Sequence, residues 1–174
     1  MSPAVEVVRT YLELRSPDDL RPSRVHDARV HFVRHEHCPL GEYLRLYRDV
    51  GAEWQWRDRL RWTPEQLAAL LESPNVAVWE CVVDGESAGY FELARHDEGS
   101  VEIVYFGLMA RFIGRGIGGA MLTRAVEEAW AFGANRVWLH TCTLDSPNAL
   151  PNYRARGFTE FGVERYVAEL ANAL

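Results

Sequence analysis

The sequence predicts a single mixed α/β (α+β) domain with a mostly antiparallel central sheet flanked by helices. Three observations lead there. Two Val- and aromatic-rich runs, residues 75–83 and 86–95, are separated by Asp84-Gly85, the turn chemistry of a tight hairpin. At Gly116 the apolar period changes from two to helical spacing, with Ile117, Met121, Ala125 and Ala129 on one face and Leu122 and Val126 beside them. A further strand-like run, residues 136–143, follows that helix, so a meander passes into strand–helix–strand.

The other elements follow in order. Val5, Val7, Val8, Tyr11, Leu12 and Leu14 suggest a first strand ending at Ser16-Pro17-Asp18-Asp19, and Val30, Phe32 and Val33 a second that stops near Pro39. Residues 40–71 turn helical: Leu40, Tyr43, Leu44 and Tyr47 recur at helix spacing. Thr63-Pro64-Glu65-Gln66 opens a further helix with a cap and a first-position proline. After the turn at residues 96–100 a third meander strand spans residues 101–109. Gly133 is a C-terminal stop for the long helix, residues 151–156 form a short helix closed by Gly157, and residues 158–170 supply the last strand.

Length and composition bound the function. A chain of 174 residues with 48% apolar and 25% charged residues fits one domain, 1–174, with a packed core. A net charge of -6 speaks against nucleic acid or an anionic membrane surface as partner. All 19 basic residues are Arg, which rules out a catalytic lysine, a Schiff base and a Walker-type phosphate lysine. Cys38, Cys81 and Cys142 are too few and scattered for a disulfide framework or a thiolate zinc site. Residues 1–14 lack a signal-peptide core, and no apolar run reaches the roughly 18 residues of a membrane span, so a soluble cytoplasmic enzyme is expected.

The chemistry-bearing stretch is Arg111-Phe112-Ile113-Gly114-Arg115-Gly116-Ile117-Gly118-Gly119-Ala120-Met121-Leu122, between a strand and an amphipathic helix. Four glycines let backbone N–H groups approach an anion, and the helix N-terminus adds partial positive charge, so a phosphate-bearing ligand is expected. Gly114, Gly116 and Gly119 formally satisfy G-x-G-x-x-G. A dinucleotide site would place an acid about 20 residues on, where Ala134 and Asn135 stand; Asp145 comes too late.

The same stretch resembles the acyl-CoA pyrophosphate loop of the GNAT superfamily of N-acyltransferases, typically Arg/Gln-x-x-Gly-x-Gly. Arg111 to Gly116 fits that pattern literally; aligning the glycines with the helix start instead pairs Gly116 with Gly118 and puts Ile113 where Arg or Gln is usual. The second register lets Gly118-Gly119-Ala120-Met121-Leu122 enter the helix as family members do. A second block strengthens the resemblance: Ala149, Tyr153, Gly157 and Phe158 match Asn-x-x-Ala-x-x-x-Tyr-x-x-x-Gly-Phe, with Ser146 in place of Asn and Asn148 nearby. The resemblance covers residues 75–158.

What the resemblance implies is a fold with splayed strands forming a CoA cleft. Acetyl-CoA is the acyl donor and a primary amine of a small molecule or peptide the acceptor, joined in a ternary complex without a metal. Cofactor contacts fall to Leu108, Met109 and Ala110, whose backbone would meet pantetheine, to Gly114, Arg115, Gly116, Ile117, Gly118 and Gly119, and to Ser146 and Asn148. Tyr153 stands where the general acid belongs, protonating the leaving thiol, although a tyrosine packed at the core edge is the alternative. Glu102, on the strand where the family often carries its base, is the candidate base or water-positioner; an exposed strand-start glutamate is its other reading, and Glu92 and His140 are alternatives. A nucleophilic role for Cys142 runs against direct transfer.

Three questions stay open at this level. His31, His35, Glu36, His37 and Cys38 invite a metal, but no second ligand cluster completes one. Trp54, Trp56 and Trp62, interleaved with Arg57, Arg59 and Arg61, suit an acceptor pocket, an anion grip, a core stripe or a homodimer interface. A non-catalytic acyl-CoA-binding domain of the same fold is the competing function.

Overall fold

A computed structural model describes residues 3–170; the first two residues and the last four of the expected domain lie outside it. The strands are β1 (Ala4–Leu14), β2 (Val30–His35), β3 (Val76–Val83), β4 (Glu86–Arg95), β5 (Ser100–Leu108), β6 (Arg136–Cys142) and β7 (Thr159–Glu169). The helices are α1 (Leu40–Gly51), α2 (Pro64–Glu72), α3 (Ile117–Ala131) and α4 (Ala149–Ala155). All strands join one sheet in the order β2-β3-β4-β5-β6-β1-β7, antiparallel except for the β5–β6 pair. Among the described residues no helix is long and apolar enough to cross a membrane.

Local chemistry explains the punctuation. Asp84 and Gly85 both take positive φ, 52° and 76°, as the hairpin joining β3 to β4 requires. Thr63 and Gln66 form the reciprocal capping box of α2. Gly133 and Gly157, at φ 92° and 101°, end α3 and α4 in the same way. The Gly133 and Ala134 amides bond to Trp130 and Ala129 carbonyls, and the Gly157 and Phe158 amides to those of Arg154 and Tyr153. The helical region over residues 40–71 forms α1 and α2, with short 3-10 turns within residues 52–61 between them.

The sheet has a helix layer on each face. Tyr43 and Tyr47 of α1 reach Glu92 and Tyr105 on one face, while Arg124 of α3 lies over Trp79 on the other. Chain order leaves the place of β1 undetermined; it sits between β6 and β7, antiparallel to both, remote from the meander that follows it in sequence. That placement sets Arg9 opposite Cys142 and Tyr11 opposite His140.

Candidate functional site

The cleft begins where pairing stops. β5 and β6 are matched only over Ser100–Arg136, Val101–Val137 and Glu102–Trp138. Just beyond, the register against β4 shifts, with Glu92 opposite Tyr105 but Leu93 opposite Ile103, leaving Val104 as an extra residue in β5. A bulge bends its strand, and β6 meanwhile stays with β1, so the two strands part. A cavity of about 700 Å³ fills the gap, walled by Ile103 to Leu108 on one side and by His140, Cys142, Asp145, Ser146 and Tyr153 on the other.

Glycines close one end. Gly114, Gly118 and Gly119 face the cavity, as do Ile113, Ser146 and Asn148. Gly114 and Gly116 hold the left-handed conformation, φ 82° and 76°, that brings the chain into α3. Gly116 is the N-cap and has no side chain to cap with, so the first amides of α3 are left for a ligand. A Cβ at Gly119 would collide with Arg156 and Ser23, whereas one at Gly118 would meet only ordinary contacts, the nearest being Asn152 at 3.7 Å. A side chain at Gly119 would push the Arg156 guanidinium aside and press on Ser23, whereas Gly118 keeps open space beside the amides.

Other members of the expected set lie elsewhere. Ile117 is core, 3% exposed, and Arg115 is turned over Phe112, its guanidinium carbon 5.1 Å from the ring centre. Arg111, which the literal register would use, donates to Glu86 at 3.1 Å on the far side of the loop. Met109 and Ala110 do not present a ligand-binding backbone as expected. The Met109 amide donates to Ala88, its carbonyl accepts from Phe112 and that of Ala110 from Ile113, because β5 ends at Leu108 and a 3-10 turn follows. Of that trio only Leu108 lines the cavity.

Tyr153 projects from α4 into the cavity, 6% exposed, with its ring edge-on to Phe106 and Phe158 at 6.1 Å. Burial and the nearby Asp145 carboxylate push its phenol well above the ordinary tyrosine range, so it stays protonated. Glu102 lies at the closed end of the splay and does not line the cavity. One carboxylate oxygen is 3.0 Å from His96 Nε2, and the other is 4.0 Å from His140 Nε2. His140 opens onto the cavity, 37% exposed, with protein around its remaining sides. Burial, assisted by Arg9, lowers its pKa, while Glu102, Asp145 and Glu164 act the other way. A neutral imidazole with a carboxylate behind it can accept a proton from a group in the cavity.

Glu92 is not available for that task. It is 0% exposed, accepts from Tyr43 Oη at 2.7 Å and from Arg59 Nη2 at 2.9 Å, and burial raises its pKa against the pull of both partners. Arg59 is thereby turned inward, with its guanidinium carbon 4.2 Å from the Trp62 ring centre, so the Arg-Trp segment does not grip an anion through this residue. Trp54 and Trp56 do reach the cavity, and Trp56 packs on Tyr47, Tyr90 and Tyr105. Burial pushes the Cys142 thiol up, away from nucleophilic thiolate. His35 is bound to Glu80 at 2.6 Å and Cys38 is buried. Among the described residues no group of three His, Cys, Asp or Glu side chains is placed to hold a metal.

Sequence reasoning missed Arg9 and Tyr166, which line the cavity from β1 and β7. Only the sheet order brings them to His140, and no local pattern encodes it.

A model of the acetyltransferase (GNAT) family matches residues 43–158. No curated protein matches. Among solved structures, a GCN5-related N-acetyltransferase from Kribbella flavida is 16% identical with a TM-score of 0.67, over 94% of this chain and 58% of that one. An aminoglycoside acetyltransferase from an uncultured soil metagenomic sample, in complex with trehalose, is 18% identical with a TM-score of 0.62, over 75% and 88%. An IAA acetyltransferase from Bacillus cereus is 19% identical with a TM-score of 0.58, over 81% and 99%. The chain spans 58%, 61% and 54% of the length of three of the structures it resembles. At these identities the likeness is one of fold.

Proposed function

Because the chain belongs to the acetyltransferase (GNAT) family, we propose that it transfers an acetyl group from acetyl-CoA directly to a primary amine of a small molecule or peptide. One observation carries the reading: the uncapped N-terminus of α3, with Gly114, Gly118 and Gly119, opens on the same cavity as Tyr153, in the gap between β5 and β6. The diphosphate of acetyl-CoA suits those amides, with Ser146 and Asn148 beside it and Leu108 along the pantetheine. The thioester then lies near Tyr153. Tyr153 gives its proton to the departing thiol. The amine loses its proton to His140, directly or through water, and Glu102 acts from behind by steadying the imidazolium.

Calorimetric titration tests the binding half. Acetyl-CoA should bind the wild-type chain, and Gly118→Asp should weaken that binding about 100-fold or more, because it sets a carboxylate among amides that attract an anion. Its Cβ meets only ordinary contacts, and the acid sits in the first turn of α3, so the melting temperature should hold or rise. Undiminished affinity in the variant would move the nucleotide away from this loop.

The pH profile tests the base. Because the His140 pKa is lowered, kcat/KM should fall on the acid side only as pH drops through a value under the ordinary histidine range. Glu102→Gln removes a carboxylate that raises the His140 pKa, so this limb should shift to still lower pH, with a smaller maximal rate. His140→Gln should abolish the limb and cost roughly 100-fold in kcat. A limb unmoved in Glu102→Gln would break the coupling.

A further inference from the structure

The acceptor side of the cavity carries a second feature that amine acylation by itself does not use. β1 lies beside β6 with Tyr11 opposite His140 and Arg9 opposite Cys142, so Arg9 is the diagonal neighbour of His140 on the same sheet face. Such neighbours are roughly 7–8 Å apart. Among the described residues Arg9 is the one guanidinium lining the cavity. Its carbon sits 4.9 Å from the Tyr166 ring centre, and Nη2 donates to the Tyr166 hydroxyl at 3.2 Å. The nearest carboxylate, Glu164, is 3.5 Å away and 52% exposed, a contact at the outer limit of a hydrogen bond and open to screening. A hydroxyl that accepts from arginine keeps its own proton to donate.

Resting on the acetyl-transfer reading, we infer that the acceptor is an amino acid: Arg9 and Tyr166 hold its carboxylate while its α-amine meets His140. The guanidinium fork matches a carboxylate in two parallel hydrogen bonds, with the tyrosine proton as a third. The strand positions of Arg9 and His140 are close enough for both side chains to reach one small molecule in the cavity. Of the two cavity carboxylates among the described residues, Asp145 accepts from the Thr141 hydroxyl and the Cys142 amide at 2.8 and 2.9 Å, and Asp58 is exposed. Among the described residues neither of them is paired with Arg9, which leaves its charge for an acceptor carboxylate. Trp54 and Trp56 wall the space left for an apolar side chain.

The test is a thiol-release assay with acetyl-CoA on matched pairs: phenylalanine against phenethylamine, leucine against isopentylamine, tryptophan against tryptamine. At least one amino acid should exceed its decarboxylated partner in kcat/KM on the order of 30-fold or more, because a site built for a charged group discriminates strongly against the analogue lacking it. Arg9→Gln should raise KM for the amino acid on the order of 30-fold with a smaller change in kcat, and Arg9→Lys should recover part of it. Tyr166→Phe, which keeps the ring that Arg9 packs on, should raise the same KM several-fold, so the inference does not hang on how one variant folds. Amines matching or outrunning their amino acids would overturn the carboxylate seat while leaving acetyl transfer intact. Equal losses in Arg9→Gln on both members of a pair would do the same. Bound acetyl-CoA with no thiol released by any of the six compounds would overturn the amino-acid acceptor.

Discussion

Arg59→Met should lower the unfolding free energy by about 3–5 kcal/mol, the usual cost of stranding one partner of a buried ion pair. The Glu92 carboxylate it leaves behind is 0% exposed and, among the described residues, retains only the Tyr43 hydroxyl as a donor. In a chain of this size that corresponds to a fall in melting temperature of roughly 6–20 °C. The double variant Arg59→Met/Glu92→Met should return most of the loss, since neither charge is then buried, and a thermal or urea double-mutant cycle measures this.

The deficit should also depend on pH, with a definite sign. Burial already raises the Glu92 pKa, and removing Arg59 takes away the largest influence holding it down. A carboxylate whose folded pKa lies above its unfolded value stabilises the fold least at high pH. Stability is lost as pH rises from the unfolded carboxylate range through the folded value. Arg59→Met should therefore be most destabilised at neutral pH and approach the wild type as the medium is acidified toward pH 4.5, the ordinary glutamate value. A gap independent of pH would mean that Glu92 is never charged in the fold. The loss should reach the cavity as well. The Arg59 amide donates to the Tyr47 hydroxyl at 3.3 Å, and Tyr47 packs on Trp56, so the acceptor KM should rise in any folded fraction.

Tyr153→Phe should reduce kcat about 100- to 1,000-fold while leaving the acetyl-CoA dissociation constant within about twofold. The substitution keeps the ring that meets Phe106 and Phe158 edge-on, so the melting temperature should barely move. Because burial holds the phenol protonated through the alkaline range, no basic limb of the wild-type profile should belong to Tyr153. Retained acetyl-CoA binding with lost turnover assigns Tyr153 to the leaving thiol. A kcat within twofold of wild type would make it a packing residue, and the thiol would depart without an acid.

Several features of this site were legible before any coordinates. The four-glycine loop entering α3 and the Ala149, Tyr153, Gly157, Phe158 spacing are local patterns, and each has a local cause. Gly116 must take positive φ before the helix, and Gly157 must take it after α4, where the Phe158 amide then bonds back to the Tyr153 carbonyl. Glu102 was legible as a carboxylate on the right strand but not as one standing behind His140. That relation depends on the three-residue pairing of β5 with β6 and the bulge that ends it.

The sequence by itself determined the elements, their caps and turns, the mixed sheet and the loop expected to bind an anion. Each of these rests on backbone conformation and side-chain periodicity within a few residues. Tertiary structure alone decided that β1 lies between β6 and β7, that Arg9 and Tyr166 share a cavity with His140, and that Arg59 turns inward to Glu92. The physical reason is that a strand's ladder is satisfied by any partner of matching register, and a buried charge by any opposite charge that reaches it. Which partner is taken depends on the packing of the whole chain.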